Sequence, residues 1–107
     1  MAQYDLVAVY LMASQRNGTL YLGVTSDLVT RCRQHQDGAF AGFSARYGCT
    51  HLVWYEKHHD MPRAIAREKE LKKWRRAWKL ALIEAVNPQW LDLSGELMLP
   101  PHLRRIK

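Results

Sequence analysis

The sequence predicts a small layered α+β domain whose elements follow one another in the order ββαβαα. Three observations lead to this prediction. Two apolar runs flank the dipeptide Asn17-Gly18, a turn signal typical of β-hairpins. A third apolar run is rich in bulky and aromatic residues, which strands favour. The remaining periodic segments begin or end with helix-capping residues, so they are predicted to be helices.

The hairpin and the first helix occupy the first third of the chain. The apolar runs at 7–12 and 19–24 are the two strands, and the loop between them is longer than a two-residue turn. Ser26 and Asp27 are capping residues for a helix that runs to about residue 36. Gly38 follows this helix and favours the left-handed conformation in which many helices end.

A loop separates this helix from the third strand. It extends over 38–48 and contains Phe40, Phe43 and Arg46 among small residues, so we do not expect a simple linker. The third strand follows at 51–56, where four of six residues are apolar or aromatic.

Two more helices are predicted in the basic part of the chain. Asp60 and Pro62 open a helix that extends to about Trp74, because aspartate caps helices and proline suits their first turn. The last helix covers 76–86 and ends at Asn87, which precedes a proline and is therefore biased away from the helical conformation.

The composition indicates one domain with a single core. The chain has 107 residues, of which 48% are hydrophobic, and it includes four Trp and five Tyr. We expect a domain over residues 1–92 and an irregular C-terminal tail over 93–107. Cys32 and Cys49 show no metal-ligand spacing and are expected to be thiols. With no signal-like start and no apolar run of about 18 residues, the expected location is cytoplasmic.

The charge is concentrated in one segment. The net charge is +6 with a pI near 9.6, and residues 61–80 alone hold eight basic residues against two glutamates. Such a patch attracts polyanions, either nucleic acid or an anionic membrane. The charge surrounds the helix and leaves no bulky apolar face, so a membrane partner is not expected.

A basic ridge within this segment favours nucleic acid over the simpler alternative of a solvated helix face. Lys69, Lys73 and Arg76 stand at i, i+4 and i+7 beside Trp74 and Trp78. Basic and aromatic side chains together suit a phosphate backbone with exposed bases.

Glu68 is the main candidate for metal binding. Helical spacing places it in the middle of an apolar arc formed by Met61, Ala64, Ile65 and Leu71. One alternative is that it leans outward and pairs with Lys72 at i+4. The other is that it holds a single Mg²⁺ or Mn²⁺ with waters and substrate phosphate oxygens.

The spacing of four further residues allows either a role in the active site or an ordinary structural role. Arg31 and His35 share a helix face, where they either bind a phosphate or are ordinary surface residues. Tyr10 and Tyr21 lie on the two hairpin strands, where tyrosine usually fills the core. A phenol that acts as a base at neutral pH needs nearby positive charge.

Taken in order, these segments resemble the GIY-YIG nuclease superfamily, specifically its small stand-alone bacterial members related to the catalytic domain of the excision-repair incision subunit. Ala8-Val9-Tyr10 stands at the GIY motif and Tyr21-Leu22-Gly23 at YIG, with ten residues between them. The other matching segments are Thr25–Leu28 with Arg31 and His35, Gly42-Phe43-Ser44 with Tyr47-Gly48, Ala66–Lys72, and Asn87-Pro88. Ala8 replaces the first glycine of GIY, which a strand tolerates.

The resemblance implies a three-stranded antiparallel sheet flanked by helices, with the site on one face of the sheet. It assigns the single Mg²⁺ or Mn²⁺ to Glu68 and the scissile phosphate to Arg31. Tyr10 or Tyr21 activates or positions the attacking water, and His35 and Asn87 orient these groups. The basic residues expected to contact nucleic acid are Arg46, Lys69, Lys72, Lys73 and Arg76.

The function expected from the resemblance is a metal-dependent endonuclease that hydrolyses phosphodiester bonds in DNA, in repair or recombination. Single-stranded or branched substrates are favoured over a specific duplex sequence. One alternative is a non-cleaving nucleic-acid-binding protein on the same scaffold, and another is a nuclease directed to RNA.

Overall fold

The structure is a computed structural model that describes residues 6–38 and 46–106. It contains one antiparallel sheet in which β1 lies between β2 and β3, which confirms the predicted α+β class and the order ββαβαα. The strands are β1 (Ala8–Ala13), β2 (Leu20–Thr25) and β3 (His51–Lys57). The helices are α1 (Leu28–Gln36), α2 (Met61–Lys72) and α3 (Arg76–Val86), followed by two 3₁₀ helices, Leu93–Met98 and Pro101–Leu103.

The predicted Asn-Gly turn joins β1 to β2. Asn17 has a φ of 57°, a left-handed conformation that asparagine tolerates better than most residues. The loop closes where the backbone N–H of Ser14 donates to the carbonyl of Thr19 at 3.0 Å. This turn sets the register that places Tyr10 opposite Gly23.

The helices α1 and α2 begin at the predicted capping residues Asp27 and Asp60. The Asp27 carboxylate accepts from the backbone N–H of Thr30 at 3.2 Å, and the Asp60 carboxylate accepts from that of Arg63 at 2.9 Å. These bonds satisfy donors that the first helical turn leaves without partners. Gly38 follows α1 with a φ of 70°, as its position indicated.

The central strand β1 is buried on both faces. Its successive side chains point to opposite faces of the sheet, so the hydrophobic core has two parts. One face of the sheet is covered by α1 and the first 3₁₀ helix, and this cluster contains Ala8, Tyr10, Met12, Leu28, Cys32, Leu93 and Leu97. The other face is covered by α2 and α3, and this cluster contains Val9, Leu11, Ala13, Ala64, Leu71 and Ile83. The sheet is thus the middle of three layers.

The segment after α3 has more local order than the expected irregular tail. Its first 3₁₀ helix buries Leu93 and Leu97 against the face that carries Tyr10. The hydroxyl of Tyr55 donates to the Glu96 carboxylate at 2.8 Å, which joins this segment to β3. A domain boundary at residue 92 stays a prediction.

Part of the loop singled out in the sequence lies outside the described residues. This applies to Phe40, to Phe43 and to the whole Gly42-Phe43-Ser44 match. Cys32 and Cys49 are both buried thiols, as expected. None of the described helices has the length and apolar character needed to span a membrane.

Candidate active site

Three aromatic rings from three different elements meet on the face of the sheet that α1 covers. The hydroxyl of Tyr10 on β1 lies 2.9 Å from Nε2 of His35 on α1. The ring of Tyr21 on β2 is 5.0 Å from the imidazole and 6.2 Å from the phenol ring of Tyr10, measured between centroids. The fold therefore brings together residues that are 25 positions apart in the sequence.

The two central groups of this cluster are uncharged at neutral pH. Burial raises the pKa of Tyr10, with a further contribution from Tyr21, and Arg31 acts in the opposite direction. Burial, and then the charge of Arg31, lower the pKa of His35 to about 4. His35 is only 2% exposed, so the interpretation of this histidine as a surface residue is wrong. Arg31 lies close enough to influence both groups.

Glu68 has the partner but not the exposure that the first of its two alternatives expected. It pairs with Lys72, whose Nζ lies 2.7 Å from Oε2, as the surface alternative expected. The carboxylate does not lean outward, however, because Glu68 is 8% exposed and lies on the buried stripe of α2 with Ala64 and Leu71. Ile65, predicted in the same arc, is 37% exposed.

The ammonium group of Lys72 links Glu68 to the tyrosine cluster. A hydrogen bond with Glu68 and its negative charge raise the pKa of Lys72, and Tyr21 adds a smaller contribution in the same direction. Tyr21 therefore lies within electrostatic range of the Lys72–Glu68 pair. Lys72 itself is mostly exposed, so this pair is screened by water and contributes only tenths of a kcal/mol to stability.

The donor set at Glu68 fits a hard divalent cation that keeps most of its water. The Glu68 side chain is 11% exposed, and its Oε2 lies 2.7 Å from the exposed ammonium group of Lys72. No group of three or more His, Cys, Asp or Glu side chains converges in the described part of the chain. A site with one carboxylate suits Mg²⁺, which is commonly held by one or two carboxylates, waters and phosphate oxygens.

Asn87 occupies a different environment from the ring cluster. Its amide nitrogen donates to the carbonyls of Val53 at 3.1 Å and Leu91 at 2.9 Å, and its Oδ1 accepts from the N–H of Leu91 at 3.0 Å. Val53 lies at the register shift of β3 against β1, where a bulge leaves a residue without a ladder partner. Asn87 thus braces the bulge and the turn after α3, and its role in orienting catalytic groups stays a prediction.

The residues expected to contact nucleic acid are all exposed, but they are not equivalent. Arg76 donates through Nη2 to the carbonyls of Asn17 at 2.9 Å and Gly18 at 2.7 Å, so it anchors α3 to the hairpin turn. The guanidinium of Arg46 lies 5.6 Å from the ring centroid of its neighbour Tyr47. The remaining exposed members are Lys69, Lys72 and Lys73.

The arrangement of rings on a hairpin, with a buried glutamate on a later helix, agrees with a comparison of the sequence with known families. The sequence model of the family described as "GIY-YIG catalytic domain" matches residues 7–81. The chain belongs to this family. The matched segment includes every predicted site residue except Asn87.

Relatives of this GIY-YIG chain carry the name UPF0213 protein. It is 39% identical to the one from Streptococcus sanguinis over 69 residues, which are 64% of this chain and 78% of the relative. With the one from Staphylococcus aureus strain N315 it shares 34% identity over 68 residues, or 64% and 83% of the two chains. With the one from Aeromonas salmonicida it shares 31% over 87 residues, or 81% of this chain and 62% of that relative.

A solved structure shows the same fold. It is the solution NMR structure of the UPF0213 protein BH0048 from Bacillus halodurans, which superposes with a TM-score of 0.51 at 23% sequence identity. The match covers 88% of this chain and 98% of that chain. The GIY-YIG chain and this UPF0213 protein therefore share their architecture.

The glycine of the YIG motif has a role that the sequence reasoning missed. Gly23 on β2 lies opposite Tyr10 on β1, and the Tyr10 ring passes directly over it. A Cβ at position 23 would lie 2.5 Å from both Cζ and Oη of Tyr10. The sequence contained a signal for this role, because the spacing of the two motifs in the hairpin places the tyrosine of GIY opposite the glycine of YIG.

Proposed function

We propose that this GIY-YIG protein is a metal-dependent endonuclease that hydrolyses phosphodiester bonds in DNA. The observation that carries the proposal is the convergence of Tyr10, Tyr21 and His35, with Arg31 in electrostatic range and Lys72 connecting Tyr21 to Glu68. Phosphodiester hydrolysis requires a group that holds the attacking water, a cation and a carboxylate close together.

The two tyrosines have different roles in this proposal. Tyr10 is 1% exposed and bonded to a neutral imidazole, so it positions neighbouring groups and does not meet the substrate. Tyr21 is only half-buried and lies beside the Lys72–Glu68 pair, so its hydroxyl is the one that holds the attacking water. Lys72 places a positive charge near this hydroxyl.

Arg31 and Glu68 act on the phosphate. Arg31 is half-buried on α1 and offers a planar fork of donors, which matches phosphate oxygens. Glu68 would hold the divalent ion through its carboxylate. When bound, a divalent ion supplies Lewis-acid stabilisation of the charge that develops on the phosphate. In this scheme Lys72 leaves Oε2 free for the ion and stays near Tyr21, which its exposed and flexible side chain permits.

The charge distribution supports single-stranded or branched DNA as the substrate. The exposed cations Arg63, Lys69 and Lys72 on α2 are free to contact phosphates, and such contacts carry no sequence information. Recognition of structure by charge and by accessible bases therefore fits this surface better than recognition of a duplex sequence. RNA presents the same phosphates and is included in the test.

One observation favours a second candidate, a nucleic-acid-binding protein that does not cleave. The Glu68 carboxylate already has a cationic partner 2.7 Å away, and a pair of this kind is also found on inert helix surfaces. The two functions share the basic surface and differ in what Glu68 does when Mg²⁺ or Mn²⁺ is present.

Incubation of the protein with a panel of labelled substrates separates the candidates. The panel contains a single strand, a flap, a junction, a plain duplex and an RNA strand, each with Mg²⁺, Mn²⁺ or EDTA. We expect metal-dependent cutting of the single strand or the branched DNAs and none in EDTA. Binding of the panel without cutting of any member would favour the non-cleaving protein.

A further inference from the structure

We propose that Trp78 on α3 is a stacking platform for an unpaired base of a bound nucleic acid strand. The inference rests on the proposed function, because this strand is the substrate of the site at Tyr21 and Glu68. It adds a binding position outside that site, and it assigns the preference for single-stranded or branched substrates to a particular side chain.

Trp78 is large, exposed and held in place. Half of its surface is open to solvent, a high fraction for a tryptophan. The indole packs edge-on against Trp74, with 6.0 Å between centroids and an angle of 84° between the ring planes. The guanidinium of Arg75 lies 5.2 Å from the Trp78 ring centroid. A ring fixed in this way loses little conformational entropy when a base stacks on it.

The helix that carries Trp78 is anchored next to the strand that carries Tyr21. Arg76 bonds the hairpin turn, which ties the start of α3 to the β1–β2 connection. Beside this anchor is a hollow of about 300 Å³ lined by Thr19, Leu20, Arg76 and Lys79. Leu20 directly precedes Tyr21 on the edge strand β2, and its side chain packs on the face of the sheet that α2 and α3 cover.

The charged residues around Trp78 favour a nucleic acid strand, and not an apolar protein surface, as its binding partner. Arg75 lies over its ring, Lys79 follows it in sequence, and the region 61–80 carries the excess positive charge of the chain. Lysine is depleted in the cores of protein–protein interfaces, whereas aromatic rings among cations are typical of grooves for single strands. We therefore place a phosphate in the hollow beside Lys79 and the adjacent base on Trp78.

Binding to two strands that differ only in their bases tests this inference. One probe is a short thymidine oligonucleotide and the other is an abasic strand of the same length, both with a fluorescent label. Dissociation constants are measured by anisotropy in EDTA, so that no cleavage takes place. We expect the wild type to prefer the thymidine strand.

Substitutions at and near Trp78 give the expected pattern. Trp78→Ala is expected to weaken binding of the thymidine strand by about 5-fold to 100-fold, the range for loss of one stacked base, and to leave the abasic strand unaffected. Trp78→Phe keeps a ring and retains most of the preference. Lys79→Gln weakens both strands alike. Met98→Ala, which shortens another exposed apolar side chain, changes neither.

Two results would overturn the inference. One is equal binding of the thymidine strand by Trp78→Ala and the wild type. The other is a loss in Trp78→Ala that is the same for both strands, with Trp78→Phe no better. The assay contains no metal, so a protein that cuts nothing can still pass it, and a protein that fails it can still be a nuclease.

Discussion

The phenol ring of Tyr10 occupies the space that any side chain at Gly23 would need. The two residues are cross-strand partners, and a Cβ at position 23 would approach Cζ and Oη of Tyr10 to 2.5 Å. Tyr10 is enclosed by core residues and bonded to His35, so its ring has little room to retreat. The glycine of the YIG motif therefore sets the position of the tyrosine of the GIY motif.

Gly23→Ala is expected to destabilise the protein by about 1–3 kcal/mol, the usual cost of forcing an extra methyl into a packed core. Urea unfolding of the variant and the wild type measures this difference. Gly95→Ala is the matched control, because a Cβ there has no atom within 4 Å, and its stability is expected to stay within about 0.5 kcal/mol of wild type. Equal stability of the two variants would contradict the steric account.

His35 should make the stability of the fold depend on pH. Its pKa is about 4 in the folded chain against 6.5 for an ordinary histidine, so the unfolded chain binds more protons between these values. The stabilisation is complete above pH 6.5 and is lost as the pH falls toward 4. Between pH 7 and pH 5 the contribution of His35 is about 2 kcal/mol.

Urea unfolding at pH 7 and pH 5 measures this contribution by comparison with His35→Gln, which cannot titrate. We expect the wild type to lose about 2 kcal/mol more than the variant over this interval. Other groups titrate in both proteins and cancel in the comparison. Identical losses would mean that His35 is not buried in its neutral form.

The two tyrosines are expected to respond differently to removal of their hydroxyls. Tyr21→Phe should lower the single-turnover cleavage rate by about 10²-fold or more, because it removes the group that holds the water, while loss of its hydrogen bond to Tyr10 costs only about 0.5–1.5 kcal/mol of stability. Tyr10→Phe leaves Nε2 of His35 without its partner and should cost about 1–3 kcal/mol of stability, with a smaller effect on the rate. A larger loss of rate in Tyr10→Phe would reverse their assigned roles.

Asn87→Ala tests whether this residue is a structural brace. The side chain is fully buried and satisfies three backbone groups, so its removal should cost about 2–4 kcal/mol of stability. The rate of cleavage per folded molecule, measured well below the unfolding temperature, should be retained. A variant of normal stability that no longer cleaves would instead give Asn87 the orienting role expected from the resemblance.

Much of the fold was predictable because its local signals are unambiguous. The turn at Asn17, the caps at Asp27 and Asp60 and the end of α3 before Asn87 all depend on short-range preferences of the chain. The segment after Trp90 was harder to predict, because Leu93 and Leu97 are buried by 3₁₀ turns that have no clear periodicity in sequence.

The sequence identified the residues of the candidate site but not their burial or arrangement. Helical spacing put Arg31 and His35 on one face, but the burial of His35 depends on the sheet beneath it. The spacing of Glu68 and Lys72 allowed an ion pair and gave no indication that the carboxylate would be buried. Tyr21 and Lys72 come close together because α2 packs against β2, and no local sequence pattern encodes that packing.

The most direct measurement is single-turnover cleavage of a labelled DNA strand with Mg²⁺ by Glu68→Gln and by Glu70→Gln. Both variants remove one negative charge from α2, and Glu70 is an exposed residue that pairs with Arg67 at 2.7 Å. We expect Glu68→Gln to cut at least about 10³-fold more slowly than the wild type, as loss of charge stabilisation at a transition state implies, while it binds the strand normally in EDTA. Glu70→Gln should cut at nearly the wild-type rate. Equal cutting by Glu68→Gln and the wild type would contradict a catalytic role for the buried carboxylate.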